Sequence, residues 1–169
     1  MKKLLFLFAM AVSGLTVMAQ ADKSKRPSPP AKVSETTSKG VAITIDYSQP
    51  AVKGREIGKD IAPYGQVWRT GANEATIFEV SKEVKIEGKS LPAGKYSLHS
   101  IPGKDEWVFI FNKKWEKSGT EYDEKLDALK VSVKPGKAPQ FTERMTFNVA
   151  KTGKVALIWG NEEVGFNVL

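Results

Sequence analysis

The strongest limit on the fold of this chain is a series of short runs in which apolar and polar residues alternate. Each run is closed by turn residues within a few positions. Val41, Ile43, Ile45 and Tyr47 alternate with Ala42, Thr44 and Asp46, the period of two expected of a half-buried strand. Ser48-Gln49-Pro50 ends that run. Further strands are expected at Thr76–Val80, Val84–Ile86, Lys95–Ile101, Ala128–Val133, Met145–Val149, Val155–Trp159 and Val164–Val168, with turns at Gly88, Pro92–Gly94, Pro102–Asp105, Pro135-Gly136, Thr152-Gly153 and Gly160-Asn161. Trp107–Phe111 is apolar at every position, as in a strand covered on both faces. Only Lys113–Gly119, which carries Trp115, reads as a turn of helix. About nine or ten short strands and no long helix predict an all-β fold, an antiparallel β-sandwich of jelly-roll-like or Ig-like form, with a small β-barrel as the alternative.

The ends of the chain read differently. Lys2 and Lys3 precede the apolar run Leu4–Val12, and Val17-Met18-Ala19 offers small residues where a signal peptidase reads. Residues 1–19 are therefore expected to be a signal peptide, cleaved after Ala19 or, at the second site, after Ala21. The run is too short and too interrupted by Ser13, Gly14 and Thr16 for a spanning helix, which needs about 20 apolar residues. No transmembrane segment is expected after cleavage, and the protein is expected to be exported to the periplasm or the medium. Residues 20–32, with Pro27, Pro29 and Pro30 among Lys23, Lys25, Arg26 and Lys32, read as a polar tail or spacer. That leaves 33–169 as a single domain, long enough for a real core.

Charge follows the same division. The chain has 26 basic and 19 acidic residues, but Lys2, Lys3, Lys23, Lys25, Arg26 and Lys32 all precede Val33, as does Asp22. The domain thus carries 20 basic against 18 acidic side chains, too even a balance to build a nucleic-acid-binding face. There is no cysteine, so no disulfide can staple the core.

Chemistry-bearing residues concentrate in one stretch, Pro63–Thr76 (PYGQVWRTGANEAT). Pro63, Gly65 and Gly71 make it a structured loop. Trp68 is an apolar anchor, and Arg69 points away from it if the chain is extended there. Arg69 and Asn73, with Tyr64 or Trp68 as a wall and Arg55 as a companion from the preceding loop, could hold a polar or glycan ligand. The structural reading has Trp68 plugging the end of the core and Arg69 tied to Glu74 and to loop carbonyls. The second reading is favoured, and a sealed pair of that kind predicts a loss of about 3–5 kcal/mol for Arg69→Ala.

Elsewhere the sequence offers little. His99 is the only histidine, so neither a transition-metal site nor a cofactor is expected. No nucleophile elbow or phosphate loop is present. Asp123-Glu124 and Glu162-Glu163 are adjacent pairs whose members face opposite ways on a strand, and they read as solvated edges.

Several segments together are similar to a secreted bacterial family, the domain-of-unknown-function family 2911. They are Arg26–Pro30, Ile45–Pro50, Val52–Arg55, Pro63–Thr76, Leu91–Ser97, Asp105–Val108, Tyr122–Lys125 and Leu129–Val131. Trp68–Glu74 is the most specific of them, and Glu56–Ile61 departs from the pattern. The resemblance implies export and a β-rich fold and supplies no activity. The expected function is an envelope binding or interaction module, its partner a polar or glycan ligand or another envelope protein. A hydrolase or isomerase acting around Arg69, Asn73 and Glu74 is one alternative, and a purely structural protein the other.

Overall fold

The computed structural model describes residues 22–116 and 121–169. Ten strands form in chain order: β1 Pro30–Thr36, β2 Ala42–Ser48, β3 Ile77–Val80, β4 Val84–Ile86, β5 Lys89–Leu91, β6 Gly94–Ile101, β7 Trp107–Asn112, β8 Asp127–Val133, β9 Gly136–Val149 and β10 Lys154–Asn167. All named pairings are antiparallel. Six strands make one sheet in the order β1-β2-β3-β6-β7-β8, β9 and β10 form a long hairpin, and β4 pairs with β5. Among the described residues the result is an all-β sandwich with no closed barrel.

The alternation seen in the sequence sets the core. Ile43, Ile45, Phe78, Leu98, Phe109 and Phe111 point inward from the large sheet, and Met145, Phe147, Leu157 and Phe166 meet them from the hairpin. Phe166 is the centre of this packing, with its ring 5.7 Å from Phe78, 5.0 Å from Phe109 and 5.3 Å from Phe111. These spacings are those of favourable edge-to-face pairs.

Three expectations need correction. Residues 20–32 are not a free spacer in their described part, because Pro30 opens β1 and that strand pairs with β2 along its whole length. A proline is tolerated as the first residue of a strand, so the proline-rich composition concealed an ordered edge. Ahead of β1, Gln49 donates to the Pro29 carbonyl, Asn73 to that of Ser28 and Arg144 to that of Pro27. The chain from Asp22 to Pro29 is thereby laid onto the body as a strap. The second correction concerns β9 and β10, each 14 residues long. The expected turn at Pro135-Gly136 does separate β8 from β9, which starts at Gly136, well before the expected Met145. The expected break at Gly160-Asn161, by contrast, is absorbed as strand, with register shifts around it. The helical turn expected over Lys113–Gly119 is not formed at Lys113–Glu116, and Lys117–Gly119 lies outside the described residues.

The outer face of the large sheet is partly covered as well. Ser97, His99, Ile110 and Asn112 are buried there, under Tyr122 and Asp123 from the segment before β8. The Tyr122 ring lies 5.0 Å from His99, and Asn112 donates to the Asp123 carbonyl. This second layer is why Trp107–Phe111 is apolar at every position.

Candidate functional site

The Pro63–Thr76 loop docks on β6 through Trp68, which exchanges backbone hydrogen bonds with Ser100 at 2.7 and 2.8 Å. Its indole stacks on Trp159 at 5.3 Å and meets Trp107 edge-on at 6.4 Å. Trp68 therefore caps the end of the core. Beyond it the backbone is strained. Thr70 (φ 51°) and Asn73 (φ 59°) are left-handed, a conformation rare for a β-branched residue. Buried hydrogen bonds hold Thr70 in place, from its hydroxyl to Ser100 at 2.9 Å and from the Thr76 hydroxyl to its carbonyl at 2.8 Å.

Arg69 and Glu74 do not pair. Arg69 donates to the Asn73 carbonyl at 3.0 Å, whereas Glu74 accepts from Arg26 at 2.9 Å through both oxygens and from Lys23 at 3.1 Å. The strap supplies the cations that Glu74 holds, and reading the strap as a free tail hid them. Arg26 foremost holds the Glu74 carboxyl down at about 2. Arg69 is half-buried on a neutral acceptor, so Arg69→Ala should cost about 1 kcal/mol or less. A urea titration that instead loses several kcal/mol would show the guanidinium to be structural.

On the covered outer face, burial pushes the His99 imidazole below its usual range, against the Asp127 carboxylate, with the Arg69 guanidinium adding to the fall. Its Nε2 is 3.2 Å from the Ser97 hydroxyl.

Arg55 and Tyr64 lie elsewhere. Residues 56–64 close on themselves through bonds from Gly58 to the Ile61 carbonyl and from Tyr64 to that of Gly58. Gly58 has φ +89°, and a Cβ there would overlap the Tyr64 ring. Glycine thus lets the tyrosine lie flat on the loop and reach across to β10. There the Tyr64 hydroxyl donates to Glu162 Oε1 at 3.3 Å. Arg55 is fixed by donating to the carbonyls of Val52 at 3.1 Å and Ala51 at 2.6 Å.

Tyr64, Arg55, Phe141 and Glu162 line a groove of 300 Å³. It shares Asn161 and Glu162 with an adjoining groove of 620 Å³ that Lys104 and Lys137 also line. Together they form one open cleft between the loop and the distal part of the hairpin. The β10 register shifts on either side of Gly160 (φ +59°) turn Glu162 into it, a common use of bulges. Among the described residues Glu162 Oε2 is buried with no hydrogen-bond partner. Burial pushes the carboxyl above its usual range, and the Tyr64 bond opposes the rise. Phe141 is 55% exposed at the edge of the cleft.

The six residues singled out from the sequence thus separate. Arg55 and Tyr64 enter the cleft, Trp68 packs on the core, and Arg69, Asn73 and Glu74 face one another or the strap. Glu162 was read from the sequence as a solvated edge. Its neighbour Glu163 does pair outward, with Lys154 at 2.8 Å, but Glu162 sits under Tyr64. The alternation of the pair was legible, and the one available signal for the rest was the glycine two residues before Glu162. Trp115 and Tyr122, the aromatics flanking the segment before β8, are half-buried. Lys95 lies 5.3 Å over the Trp115 ring and Tyr122 donates to Asp127 at 2.7 Å, so the exposed ring is that of Phe141.

Fold and site define a two-layered all-β domain with an open, polar cleft at the distal end of its long hairpin. The chain belongs to the family described as "Protein of unknown function (DUF2911)", whose model matches residues 28–168. No curated protein and no solved structure matches it. The match begins within the strap, two residues before β1.

Proposed function

We propose that this is an exported protein of the cell envelope, periplasmic or extracellular, and that it is a binding module whose ligand seat is the Tyr64–Glu162 cleft. Glu162 carries this reading. A half-buried carboxyl with one oxygen unpartnered weakens the fold, and a carboxyl so placed in a cleft is a candidate ligand contact. The aromatic edge of Phe141, the Asn161 amide and the Tyr64 hydroxyl suit a polyhydroxylated ligand, which needs a stacking surface and mixed donors and acceptors. The N-terminal pattern of Lys2, Lys3 and Leu4–Ala19 supports export. Among the described residues no helix is long and apolar enough to cross a membrane. A hydrolase or isomerase centred on Arg69 and Glu74 is less well supported, since a carboxylate held at about 2 by Arg26 is too weak a base near neutral pH.

Tryptophan fluorescence offers a direct assay, because Trp159 adjoins Gly160 of the cleft wall and stacks on Trp68. Titration with soluble envelope oligosaccharides should change the emission, and Phe141→Ala and Tyr64→Phe should weaken binding by about tenfold or more. Binding that ignores both changes would place the seat elsewhere. Mature protein recovered from the envelope should begin at Gln20 or Asp22, and Met1 retained on cytoplasmic protein would refute export.

Stability against pH tests Glu162 independently of any ligand. Its folded carboxyl binds the proton more tightly than the unfolded chain does. The associated stability is therefore complete below the ordinary carboxylate range and is lost as pH rises through the elevated folded value. Glu162→Gln removes that loss, so the variant should melt higher than the native protein at neutral pH and match it in acid. A lower melting point at neutral pH would show Glu162 to be a structural partner of Tyr64.

A further inference from the structure

We infer that the ligand of this cleft is acidic: a saccharide bearing carboxylate, sulfate or phosphate groups. The inference rests on the reading of the cleft as a binding seat and adds the sign of its ligand. Lys104 and Lys137 line the wider groove, are exposed, and among the described residues neither forms an ion pair or a side-chain hydrogen bond. Lys137 stands directly opposite Glu162 in the β9–β10 register without pairing to it. In the narrower groove Arg55 spends Nε and Nη2 on backbone carbonyls and faces no carboxylate bond. The guanidinium is thus held in place with its charge uncompensated, the preorganised state of an anion receptor.

The acidic residues of the cleft do not offset these three cations. Glu56 is engaged by Lys59 at 3.7 Å, and Glu162 accepts from Tyr64 with burial disfavouring its charge. Some cations of the domain are matched, such as Lys130 by Glu124 and Asp127 and Lys154 by Glu163. What sets Lys104, Lys137 and Arg55 apart is that they line adjoining grooves. Positive charge left unmatched around a groove raises the local concentration of anions. With Phe141 to stack on a sugar face, the cleft combines ring, hydrogen-bonding and cationic contacts in one span.

The test titrates the mature protein with tetragalacturonate and, in parallel, with neutral galactotetraose, reading tryptophan emission. The acidic tetramer should bind about tenfold or more tighter, and its affinity should fall as sodium chloride is raised from about 50 to about 500 mM. The double change Lys104→Glu and Lys137→Glu should abolish the difference without moving the melting point. The same reversal at Lys39 and Lys151, which line neither groove, should leave it intact. Equal binding of the two tetramers, or equal loss with either pair of reversals, overturns the acidic ligand and leaves the cleft as a seat. Binding of neither tetramer overturns both.

Discussion

Replacing Phe166 by alanine should cost about 3–5 kcal/mol, which is most of the stability of many domains of this size. Phe166 is 1% exposed, and its ring packs against Phe78, Phe109 and Phe111 together. Truncation removes the transfer energy of the ring and leaves a void bounded by three other rings. Those belong to β3 and β7, which are fixed in a six-stranded ladder and cannot close in. The control is Phe141→Ala on the same hairpin, where exposure predicts a change within about 0.5 kcal/mol. Denaturant titrations of the two should separate widely with unchanged slopes. A loss for Phe166 below about 1.5 kcal/mol would mean that the hairpin repacks.

Asp127→Ala should be the next most damaging change, at about 2–4 kcal/mol. The carboxylate takes Asn112 at 2.7 Å on one oxygen and Tyr122 at 2.7 Å and Lys130 at 3.1 Å on the other. Its side chain is only 9% exposed. Burial, with the bond to Asp127 adding to it, pushes the Tyr122 phenol up to about 12. Removing Asp127 strands the tyrosine hydroxyl and half of the buried Asn112 amide, and it frees the segment that covers His99. Asp127→Asn should recover part of the loss, because one acceptor remains. The Tyr122 titration, followed by ultraviolet absorbance, should shift downward in both variants, and a phenol that stays near 12 in Asp127→Ala would refute the assigned bond.

What the sequence disclosed depended on whether a residue's role was set by its near neighbours. Ile43, Ile45 and Tyr47 alternate because one face of β2 is buried, so strand, face and core were readable together. The same logic found β3, β6, β7 and β8, and the Trp68–Glu74 motif pointed to the right family. It failed where partners are distant in the chain. Glu74 has its obvious cation five residues away at Arg69, but takes Arg26, 48 positions upstream. Glu162 becomes a cleft residue only because Tyr64, 98 positions away, folds over it. The first part of β9 was missed and β10 was divided in reading, the latter because Gly160-Asn161 is turn chemistry and only the pairing of the hairpin decides that it continues as strand. Lys104 and Lys137 carry no local signal, and the groove alone distinguishes them from other surface lysines.

The strap has a practical consequence for anyone who handles the protein. Residues 22–29 are tied down at Lys23, Arg26, Pro27, Ser28 and Pro29, so this stretch has little slack between Asp22 and β1. A tag, dye or immobilising group fused directly ahead of Asp22 would be held against the Glu74 loop and would compete with Lys23 and Arg26 for it. A fusion there needs its own flexible spacer, and a probe attached without one would report on the strap's seat more than on the protein's tumbling.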